Sequence, residues 1–530
     1  MKSSVQLRVL PHEAVSQEIL IRIAAKNLSV DIKSISQVQI VKRSIDARQR
    51  QVFIQLQVLV YIDEVPEPSD IPNIDFPNVQ HSPEVIVIGA GPAGLFAALR
   101  LIELGLKPIV IERGQMIADR KREIASLNKN KVVNSESNYA FGEGGAGTFS
   151  DGKLYTRSHK RGDFTRFLKM LCLHGADQSI LVDAHPHVGT EKLPGVIIRI
   201  REQILNCGGE IHFNTRIDKL LITNNNIKGA IASDGSVFEA EALILATGHS
   251  ARDIYHMLNT QNIPLESKIW AMGVRVEHSQ HLIDQLQYHS PDGRGEYLPA
   301  ASYSFATQVN GRGVYSFCMC PGGFMVPAMT HASEMVVNGM SPSKRNSPYA
   351  NSGIVVEIHP EDIKDFNHHG SLAGLFYQQS VEKNCRLASG ADVIAPAQRL
   401  GDFVNQSLSK SLPDCSYIPG VTSVEINNVL PSLISEKLRI GFNEFGKKLP
   451  GYLTNDAIVL ATESRTSSPV RIPRDPMSLQ HITINGLYPC GEGAGYAGGI
   501  ASSALDGERC AEKVFTYLFP SKSIPTIASV

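Results

Sequence analysis

The sequence has little cysteine, no excess of charge and no long apolar run. Its eight cysteines are scattered over 530 residues without a CxxC pair, which is typical of reduced thiols in a cytoplasmic protein. Basic and acidic residues number 51 and 52, so no global charge favours nucleic acid or an anionic membrane. The opening MKSSVQLRVL leads directly into polar PHEAVSQE, and no apolar run approaches bilayer length. We therefore expect a soluble cytoplasmic protein without a membrane span.

Residues 85–113 combine an apolar strand, a glycine turn, a helix and a second apolar strand. The first strand is a continuous β-branched run, typical of a strand buried on both faces of a parallel sheet. Gly89, Gly91 and Gly94 form GxGxxG at the strand-to-helix turn, where glycines permit a tight turn and the approach of a pyrophosphate. Glu112 ends the second strand at about the separation expected for a carboxylate on an adenosine ribose. These features predict a Rossmann-like dinucleotide-binding unit in an α/β protein.

Two further glycine-rich loops occur later in the chain. FGEGGAGTFSDGKLYTR, at residues 141–157, leaves the backbone free to approach a ligand and to expose successive N–H groups. GEGAGYAGGI, at residues 491–500, precedes a helix whose N-terminus favours a negative ligand group. Between them, a β-meander leads to an apolar strand that ends in Ala-Thr-Gly at 246–248, a second sign of a cofactor domain. The charged stretch 119–131, by contrast, predicts a solvated helix face.

Composition divides the chain into five predicted segments. They are a small N-terminal α+β module at 1–62, for which a ferredoxin-like shape is one option; a linker at 63–83 with Pro66, Pro68, Pro72, Pro77 and Pro83; the first part of the cofactor domain at 84–263; an inserted α+β substrate domain at 264–454; and the return of the cofactor domain at 455–520. In the last segment, Ala457–Thr462 and Gly486–Cys490 are predicted to rejoin the cofactor sheet.

Four long motifs carry a family resemblance: FGEGGAGTFSDGKL, SFCMCPGGFMVPA, ESRTSSPVRIPRD and GEGAGYAGGIASSALDG. They are similar to motifs of the poorly characterised bacterial FAD-dependent dehydrogenases, also described as NAD(P)/FAD-dependent oxidoreductases. That family lies within the glutathione-reductase-like superfamily of two-dinucleotide-binding-domain flavoproteins. The resemblance covers nearly the whole chain from about residue 84, and the N-terminal module is typical of longer members. It implies FAD as cofactor and NAD(P)H as a candidate electron donor.

The resemblance also implies a set of FAD-binding positions. They are Gly89, Gly91, Pro92, Ala93 and Gly94 at the pyrophosphate; Glu112 and Arg113 at the adenosine; Gly144, Gly145, Ala146, Gly147 and Thr148 at the ribityl chain or isoalloxazine; Ile217 near adenine; Thr247 and Gly248 over the pyrophosphate; Gly491 and Glu492 at the ribityl chain or phosphate; and Gly499 and Ile500 at the flavin N1–C2 edge. Many relatives have Asp where this chain has Glu492, so the longer side chain shifts that contact outward.

The segment Cys318-Met-Cys320-Pro supplies the first catalytic candidate, Cys320. The two cysteines could form a redox pair or present a thiol to the flavin. The alternative is a pair of buried structural thiols, because a disulfide between residues so close in sequence is strained. No second cysteine or histidine pair has the spacing of zinc ligands, so we predict no metal site.

Four further side chains are catalytic candidates. His278 follows a strand and could act as a general acid, as could His249, although most histidines are hydrogen-bonded or exposed without such a role. Arg465 lies among hydroxyl side chains, where its guanidinium could hold a carboxylate substrate or anchor a loop. Lys153, with Asp151, could tune the flavin.

These observations predict an oxidoreductase that transfers a hydride between flavin N5 and a small molecule. Because the GxGxxG at 89–94 is assigned to FAD, a nicotinamide must bind in another way. One alternative is an FAD-dependent RNA-modifying or RNA-associated protein with residues 1–62 as its nucleic-acid module, which the neutral charge disfavours. Another is a non-catalytic flavin-binding regulator. The sequence leaves the substrate and the oligomeric state open.

Overall fold

The computed structural model describes residues 1–65, 74–155, 162–390 and 393–524. Of the predicted proline-rich linker, Pro66, Pro68 and Pro72 lie outside the described residues. Within these ranges, no helix is both long enough and apolar enough to cross a bilayer.

The N-terminal unit is a three-stranded antiparallel sheet in the order β1-β3-β2 with one helix. Ser16 caps that helix, since its side chain accepts a hydrogen bond from Ile19 N. Alternate residues of β3 are buried with the apolar face of α1. Residues 1–65 therefore contain the first four of the six elements of a βαββαβ ferredoxin-like pattern, and neither its second helix nor its fourth strand. The elements are β1 (Lys2–Val9), α1 (Gln17–Leu28), β2 (Ile35–Asp46) and β3 (Phe53–Ile62).

Arg43 joins this unit to the rest of the chain. Its guanidinium lies 2.7 Å from Asp183 Oδ1, and its backbone N–H donates to Val182 O at 2.9 Å. In return, Ala184 N donates to Arg43 O at 2.9 Å. The N-terminal unit is thus docked by backbone hydrogen bonds and an ion pair.

The next part of the chain alternates strands and helices before a meander. Its elements are β4 (Glu84–Ile88), α2 (Pro92–Glu103), β5 (Lys107–Ile111), α3 (Ile117–Asn130), α4 (Phe164–Leu173), α5 (Leu193–Asn206), β6 (Glu210–His212), β7 (Ile217–Thr223), β8 (Asn226–Ala232), β9 (Val237–Glu239), β10 (Leu243–Leu245) and α6 (Arg252–Thr260).

Longer strands dominate the remainder. Its elements are β11 (Glu266–Ser267), β12 (Trp270–Ser279), α7 (Gln280–Tyr288), β13 (Ala306–Val309), β14 (Arg312–Pro327), β15 (Val337–Met340), β16 (Tyr349–Ile358), α8 (Ala373–Ser389), β17 (Ala395–Arg399), α9 (Leu400–Val404), β18 (Val421–Ser423), α10 (Ser432–Lys448), β19 (Ile458–Glu463), β20 (Val470–Arg471), β21 (Leu487–Pro489) and α11 (Ile500–Leu518). Short 3-10 helices lie at Ile32–Ser34, Gly145–Gly147, Gln178–Leu181, Pro360–Leu372 and Ile426–Asn428.

The cofactor sheet is parallel and has the order β21-β10-β4-β5-β6. Helices α2 and α11 pack together on one of its faces. Gly94 permits the close contact between α2 and the turn after β4, because a Cβ on Gly94 would lie 1.8 Å from Gly89 O. Strands β7, β8 and β9 form the predicted antiparallel meander, with Asp234 and Gly235 in the turn before β9. The predicted Rossmann-like α/β fold is confirmed.

The larger sheet is mixed and runs in the order β13-β14-β16-β12-β19-β17-β18, with β15 paired to β14. The prediction that Ala457–Thr462 rejoins the cofactor sheet is wrong. Strand β19 instead lies between β12 and β17, where Ala461 pairs with Val274 and Leu460 with Ala397. An all-buried apolar strand suits either sheet, and its partners are distant in sequence. The second predicted return contains β21, which pairs with β10.

Candidate functional site

A cavity of about 400 Å³ follows the carboxyl edge of the cofactor sheet. It extends from the turn after β4 and the end of β5 to the loop at 145–153 and the start of α11. This is the place where ligands bind in open parallel sheets. The predicted FAD positions that line it are Gly89, Gly91, Pro92, Ala93, Glu112, Arg113, Gly145, Ala146, Gly147, Ile217, Thr247, Gly248, Gly491, Glu492, Gly499 and Ile500.

Three predicted FAD positions support this cavity without lining it: Gly94, Gly144 and Thr148. Gly144 N donates to Ala90 O at 2.8 Å, in a left-handed conformation with φ 79°. The hydroxyl of Thr148 donates to Glu143 O at 2.7 Å. Both residues are used in hydrogen bonds that shape the glycine loop, and their predicted approach to the ligand stays a prediction.

Glu112 connects three loops around the cavity. Its Oε2 accepts a hydrogen bond from Ala90 N, and its Oε1 accepts one each from Gly114 N and Gly142 N, all at 2.9 Å. The side chain is buried, so these backbone donors provide the solvation that the carboxylate has lost. Its predicted contact with the adenosine ribose stays a prediction.

Arg113 lies at the same end of the cavity. Its guanidinium is 2.8 Å from Asp253 and 2.8 Å from Glu136, and its charged carbon lies 4.3 Å from the ring centre of Phe141. These contacts hold the side chain in place against the cavity wall. Because Phe141 lines the cavity too, this pair provides an apolar and a charged surface near Glu112.

Arg120 supports the cavity in a way that the sequence pattern did not predict. It belongs to the charged stretch predicted to be solvated, yet its side chain is fully buried under the glycine loop. Its guanidinium donates to Asn138 O at 2.8 Å, Glu143 O at 2.7 Å and Tyr139 O at 3.0 Å. Burial lowers the pKa of Arg120 to about 10, so it remains charged at neutral pH. The spacing of Arg120 from Ile117 and Leu127 could have indicated its burial, because the three residues lie on the same face of α3.

Two helix N-termini open into the first cavity without a side-chain cap. Helix α2 has Gly91 as its N-cap residue, and α11 has Gly499 with φ 100°. The N–H groups of an uncapped first turn are available to a ligand, and the helix dipole favours a negative one. Glu492 accepts a hydrogen bond from Gly499 N, and its carboxylate lies 3.5 Å from His249 Nε2. Burial lowers the pKa of His249.

A second cavity, of about 970 Å³, adjoins the first. Both are lined by Lys153, Tyr155, Phe317, Cys318 and Gly498. The pairing of β14 with β16 breaks between residues 317 and 320, as in a β-bulge. Because of this bulge, Cys318 adopts φ 49° and its exposed side chain lies where the two cavities meet.

Cys318 rather than Cys320 is the accessible thiol. Cys320 is fully buried, lines neither cavity and donates its S–H to Cys318 O at 3.2 Å, which favours the alternative of a buried structural thiol. The Cys320 thiol, together with the cations of Lys153 and Arg275, lowers the pKa of Cys318 to about 5, although burial opposes the shift. The neighbouring Cys318 and burial raise the pKa of Cys320, although Lys153 opposes this shift.

Lys153 extends from the glycine loop to the cysteine segment. Its ammonium donates to Met319 O, lies 4.0 Å from Cys320 Sγ and lies 3.8 Å from Asp151 Oδ2. Burial disfavours its charge, but Cys320 and Asp151 outweigh that effect and raise the pKa of Lys153. It therefore brings a permanent positive charge to the junction of the cavities.

Arg465 lines the first cavity, but carboxylates of this chain occupy its guanidinium. Its Nη2 lies 2.6 Å from Glu334 and 3.3 Å from Glu382, and its Nη1 donates to Thr330 Oγ1 at 2.8 Å. Arg252 binds the same two glutamates, at 2.7 and 2.8 Å. Despite burial, Arg252 and Arg465 lower the pKa of Glu382 to about 2. Of the two alternatives for Arg465, this network favours anchoring.

His278 is a core residue, so its candidacy as a general acid is wrong. It lines neither cavity, and its Nε2 pairs with Tyr452 O at 2.8 Å. Its ring centre lies 4.5 Å from that of Tyr452. Burial lowers the pKa of His278 to about 4, which keeps the ring neutral.

One group among the described residues has metal-ligand atoms close together: Cys490, Asp506 and Cys510, all buried. Arg474, however, places Nη2 2.6 Å from Asp506 Oδ1 and Nη1 2.9 Å from Oδ2. Its Nη1 also lies 3.6 Å from Cys510 Sγ. A guanidinium therefore already neutralises the carboxylate that a metal ion would need.

Known proteins resemble this chain along most of its length. Residues 83–254 match the pyridine nucleotide-disulphide oxidoreductase family, residues 269–466 match "FAD-dependent protein, C-terminal domain-like", and residues 1–61 match a domain of unknown function. A protein of Clostridium beijerinckii described as uncharacterized is 40% identical over 509 residues, which cover 92% of this chain and 94% of that protein.

Solved structures of flavin enzymes are more distant. A geranylgeranyl bacteriochlorophyll reductase-like protein from Thermoplasma acidophilum is 13% identical, with a TM-score of 0.35 over 83% of this chain and 80% of its own. The brominase Bmp2 gives the same values. CtdE in complex with FAD is 12% identical, with a TM-score of 0.32 over 82% of this chain and 88% of its own.

The family matches and the parallel-sheet fold define an FAD-dependent oxidoreductase. The chain belongs to the bacterial family of FAD-dependent dehydrogenases, or NAD(P)/FAD-dependent oxidoreductases, together with its Clostridium relative. The expectation drawn from the long motifs is thereby confirmed.

Proposed function

We propose that FAD lies along the first cavity, and that the protein transfers a hydride between flavin N5 and a small molecule in the second cavity. The observation that carries this proposal is the junction of the two cavities at Lys153, Phe317 and Cys318. A flavin at that junction would face a separate volume large enough for a substrate or a nicotinamide. When bound, FAD supplies the hydride chemistry, so the chain has to position the reactants and manage charge.

The cofactor domain fits the two charged regions of FAD. The uncapped start of α2, beside Gly89 and Gly91, would receive the pyrophosphate, with Arg113 at the adenosine end. A Cβ on Gly145 would lie 2.9 Å from Gly91 Cα, so glycines bring the two loops together. We assign residues 84–263 and 455–520 to cofactor binding, 264–454 to the substrate and 1–62 to a docked module joined through 63–83, with β19 placed in the larger sheet.

At the flavin end, two positive features converge. Helix α11 begins at Ile500 beside the uncapped Gly499, and its dipole would stabilise negative charge on a reduced flavin. Lys153, protonated at the junction, would act in the same direction. We propose that these groups make reduction of the flavin easier. NAD(P)H is the proposed electron donor and would enter through the second cavity, since the GxGxxG at the turn after β4 is assigned to FAD.

The cofactor proposal is tested with a pair of glycine variants. A Cβ on Gly91 would meet nothing closer than Gly145 Cα at 3.8 Å, so the Cβ of Gly91→Val fits the fold, and we expect the added side chain to occupy the ligand space. Gly195→Val, in α5, has open space around it and serves as the control. We expect yellow wild-type and Gly195→Val protein and colourless Gly91→Val protein. Equal flavin retention by all three, or a wild-type protein that cannot be reconstituted with FAD, would contradict the assignment.

The electron donor is tested separately, under anaerobic conditions. Mixing the holoenzyme with NADH or NADPH should bleach the flavin absorbance. Full bleaching by dithionite, with none by either nicotinamide, would disprove NAD(P)H as the donor while leaving the FAD assignment intact.

A further inference from the structure

The walls of the second cavity carry more positive than negative charge. Among the described residues, four basic side chains line it: Lys153, Lys268, Arg345 and Arg509. Against them, the lining contains the carboxylate of Asp506 and the thiol of Cys318, whose lowered pKa makes it a second negative group at neutral pH. A concave surface lined with one sign of charge concentrates ligands of the opposite sign.

The acidic groups near this cavity are already neutralised. Arg474 binds both carboxylate oxygens of Asp506, at 2.6 and 2.9 Å, and Gly491 N donates to Oδ2 at 2.9 Å. Asp151, behind the cavity wall, is shared by Arg345 at 3.2 Å and Lys153 at 3.8 Å. The carboxylate of Asp151 therefore interacts with two cations, so these three side chains together carry a net positive charge.

Two of these cations have hydrogen-bond donors that are not paired with a carboxylate. Lys268 Nζ contacts only neutral oxygens within the described ranges, those of Ile269 at 3.4 Å and Ser467 at 3.5 Å. Burial and the nearby Arg471 lower the pKa of Lys268, a cost that a bound anion would offset. The Nε of Arg345 is buried and finds no hydrogen-bond acceptor among the described residues.

The remaining lining is apolar or carries hydroxyl groups. Ser302 and Ser304 are exposed side chains in the lining, and Tyr303, Phe317 and Tyr496 contribute aromatic rings. This combination suits a molecule with an unsaturated or apolar body and a charged end.

We propose that the second cavity binds its substrate as an anion, with a carboxylate or phosphate group held by Lys268 and Arg345 and the reacting carbon directed to the junction at Cys318. Arg345 would hold such a group through its planar fork of donors, and Lys268 would act as a point charge. The inference rests on the proposed function, since it takes the second cavity as the substrate site. It concerns the substrate class and does not depend on the identity of the electron donor.

Anion binding is measured on the holoenzyme with succinate, inorganic phosphate and the neutral succinamide, at constant ionic strength. The first readout is the difference spectrum of the flavin, and the second is the melting temperature, which requires no flavin. We expect saturable binding of at least one anion and none of succinamide. Preference for succinate or for phosphate distinguishes a carboxylate from a phosphate substrate.

Charge-removing variants locate the binding site. Lys268→Met and Arg345→Gln should each raise the dissociation constant of the bound anion about tenfold or more. Lys447→Met removes an exposed lysine of α10 and should leave that constant unchanged. Equal binding of succinate and succinamide, no saturable binding of either anion, or unaltered anion binding in both cavity variants would overturn the inference. Anion-dependent stabilisation of a protein that cannot bind FAD would instead contradict only the proposed function.

Discussion

Glu112 Oε1 accepts a hydrogen bond from Gly142 N at 2.9 Å, although the two residues are 30 positions apart. This contact ties the end of the second Rossmann strand to the glycine loop that forms the opposite wall of the first cavity. The same carboxylate holds the turn after β4 through Ala90 N. One side chain therefore sets the relative position of two loops that the sequence presents as separate motifs.

Replacement of this carboxylate should weaken both the fold and the cofactor site. In Glu112→Gln, an amide NH₂ would face at least one of the backbone donors, leaving a buried N–H without an acceptor. We expect the free energy of unfolding to fall by about 1–3 kcal/mol, with partial loss of FAD. Urea denaturation followed by circular dichroism measures the first effect. Glu239→Gln, on an exposed position of β9, is the control and should behave as wild type.

Arg120 offers a second test, with its control two residues away on the same helix. Arg120→Met leaves the carbonyl oxygens of Asn138, Tyr139 and Glu143 without their buried donor. We expect a loss of about 3 kcal/mol or more in the free energy of unfolding and a disordered glycine loop. Arg122→Met, whose side chain is 81% exposed, should change stability by less than about 0.5 kcal/mol. Equal effects of the two substitutions would refute the structural role of Arg120.

Cys318 should react as a thiolate at neutral pH. With a pKa of about 5, its alkylation by iodoacetamide should already be close to its maximal rate at pH 7. An ordinary cysteine, with a pKa of about 8.5, would still accelerate between pH 7 and pH 9. Mass spectrometry of the labelled peptide gives the rate at each pH. Cys320→Ala, which removes the hydrogen-bond donor, should move the midpoint upward, and a midpoint near that of a free thiol in the wild type would disprove the prediction.

The buried carboxyl of Glu277 should make the free energy of unfolding depend on pH. Burial raises the pKa of this carboxyl to about 7, although Ser416 donates to it through its backbone N–H and its hydroxyl. A folded pKa above the unfolded value means that stability is fully present at low pH and declines as the pH rises from about 4.5 to about 7. The loss is on the order of 3 kcal/mol for this group.

The matching variant removes that dependence. Glu277→Gln cannot ionise, so its stability relative to wild type should be greater at pH 8 than at pH 5. Urea titrations at both pH values measure the difference, with Glu202→Gln, exposed on α5, as the control. The same pH response in wild type and Glu277→Gln would show that this carboxyl titrates normally.

The cofactor end of the site could be predicted because its signals are local. Gly89 and Gly91 lie between a strand and a helix in adjacent sequence, and their spacing alone places them at the cavity. The loops at 145–147 and 499–500 also line that cavity, as the long motifs implied. Glycine-rich backbone acts through its own N–H groups, so its role depends little on side-chain direction.

Individual side-chain roles at the catalytic end could not be predicted in the same way. Cys318 and Cys320 look equivalent in the sequence, but the bulge in β14 leaves one thiol at the cavity junction and the other in the core. The sequence places His278 and Arg465 after predicted apolar strands, yet His278 lies within β12 and packs on Tyr452, whereas Arg465 joins a buried ion-pair network. In each case the deciding partners are far away in the chain.

The amino-acid sequence by itself determined the strand–turn–helix–strand unit at 85–113, the glycine loops and the cofactor class, because each depends on short-range periodicity and backbone freedom. Only the tertiary structure decided that β19 joins the larger sheet, that Arg120 supports the glycine loop from below and that Cys318 reaches the cavity. The physical reason is that a shift of one residue in strand register reverses the direction of a side chain. Strand register and side-chain burial depend on contacts between segments that are distant in the chain, and a local sequence pattern does not predict those contacts.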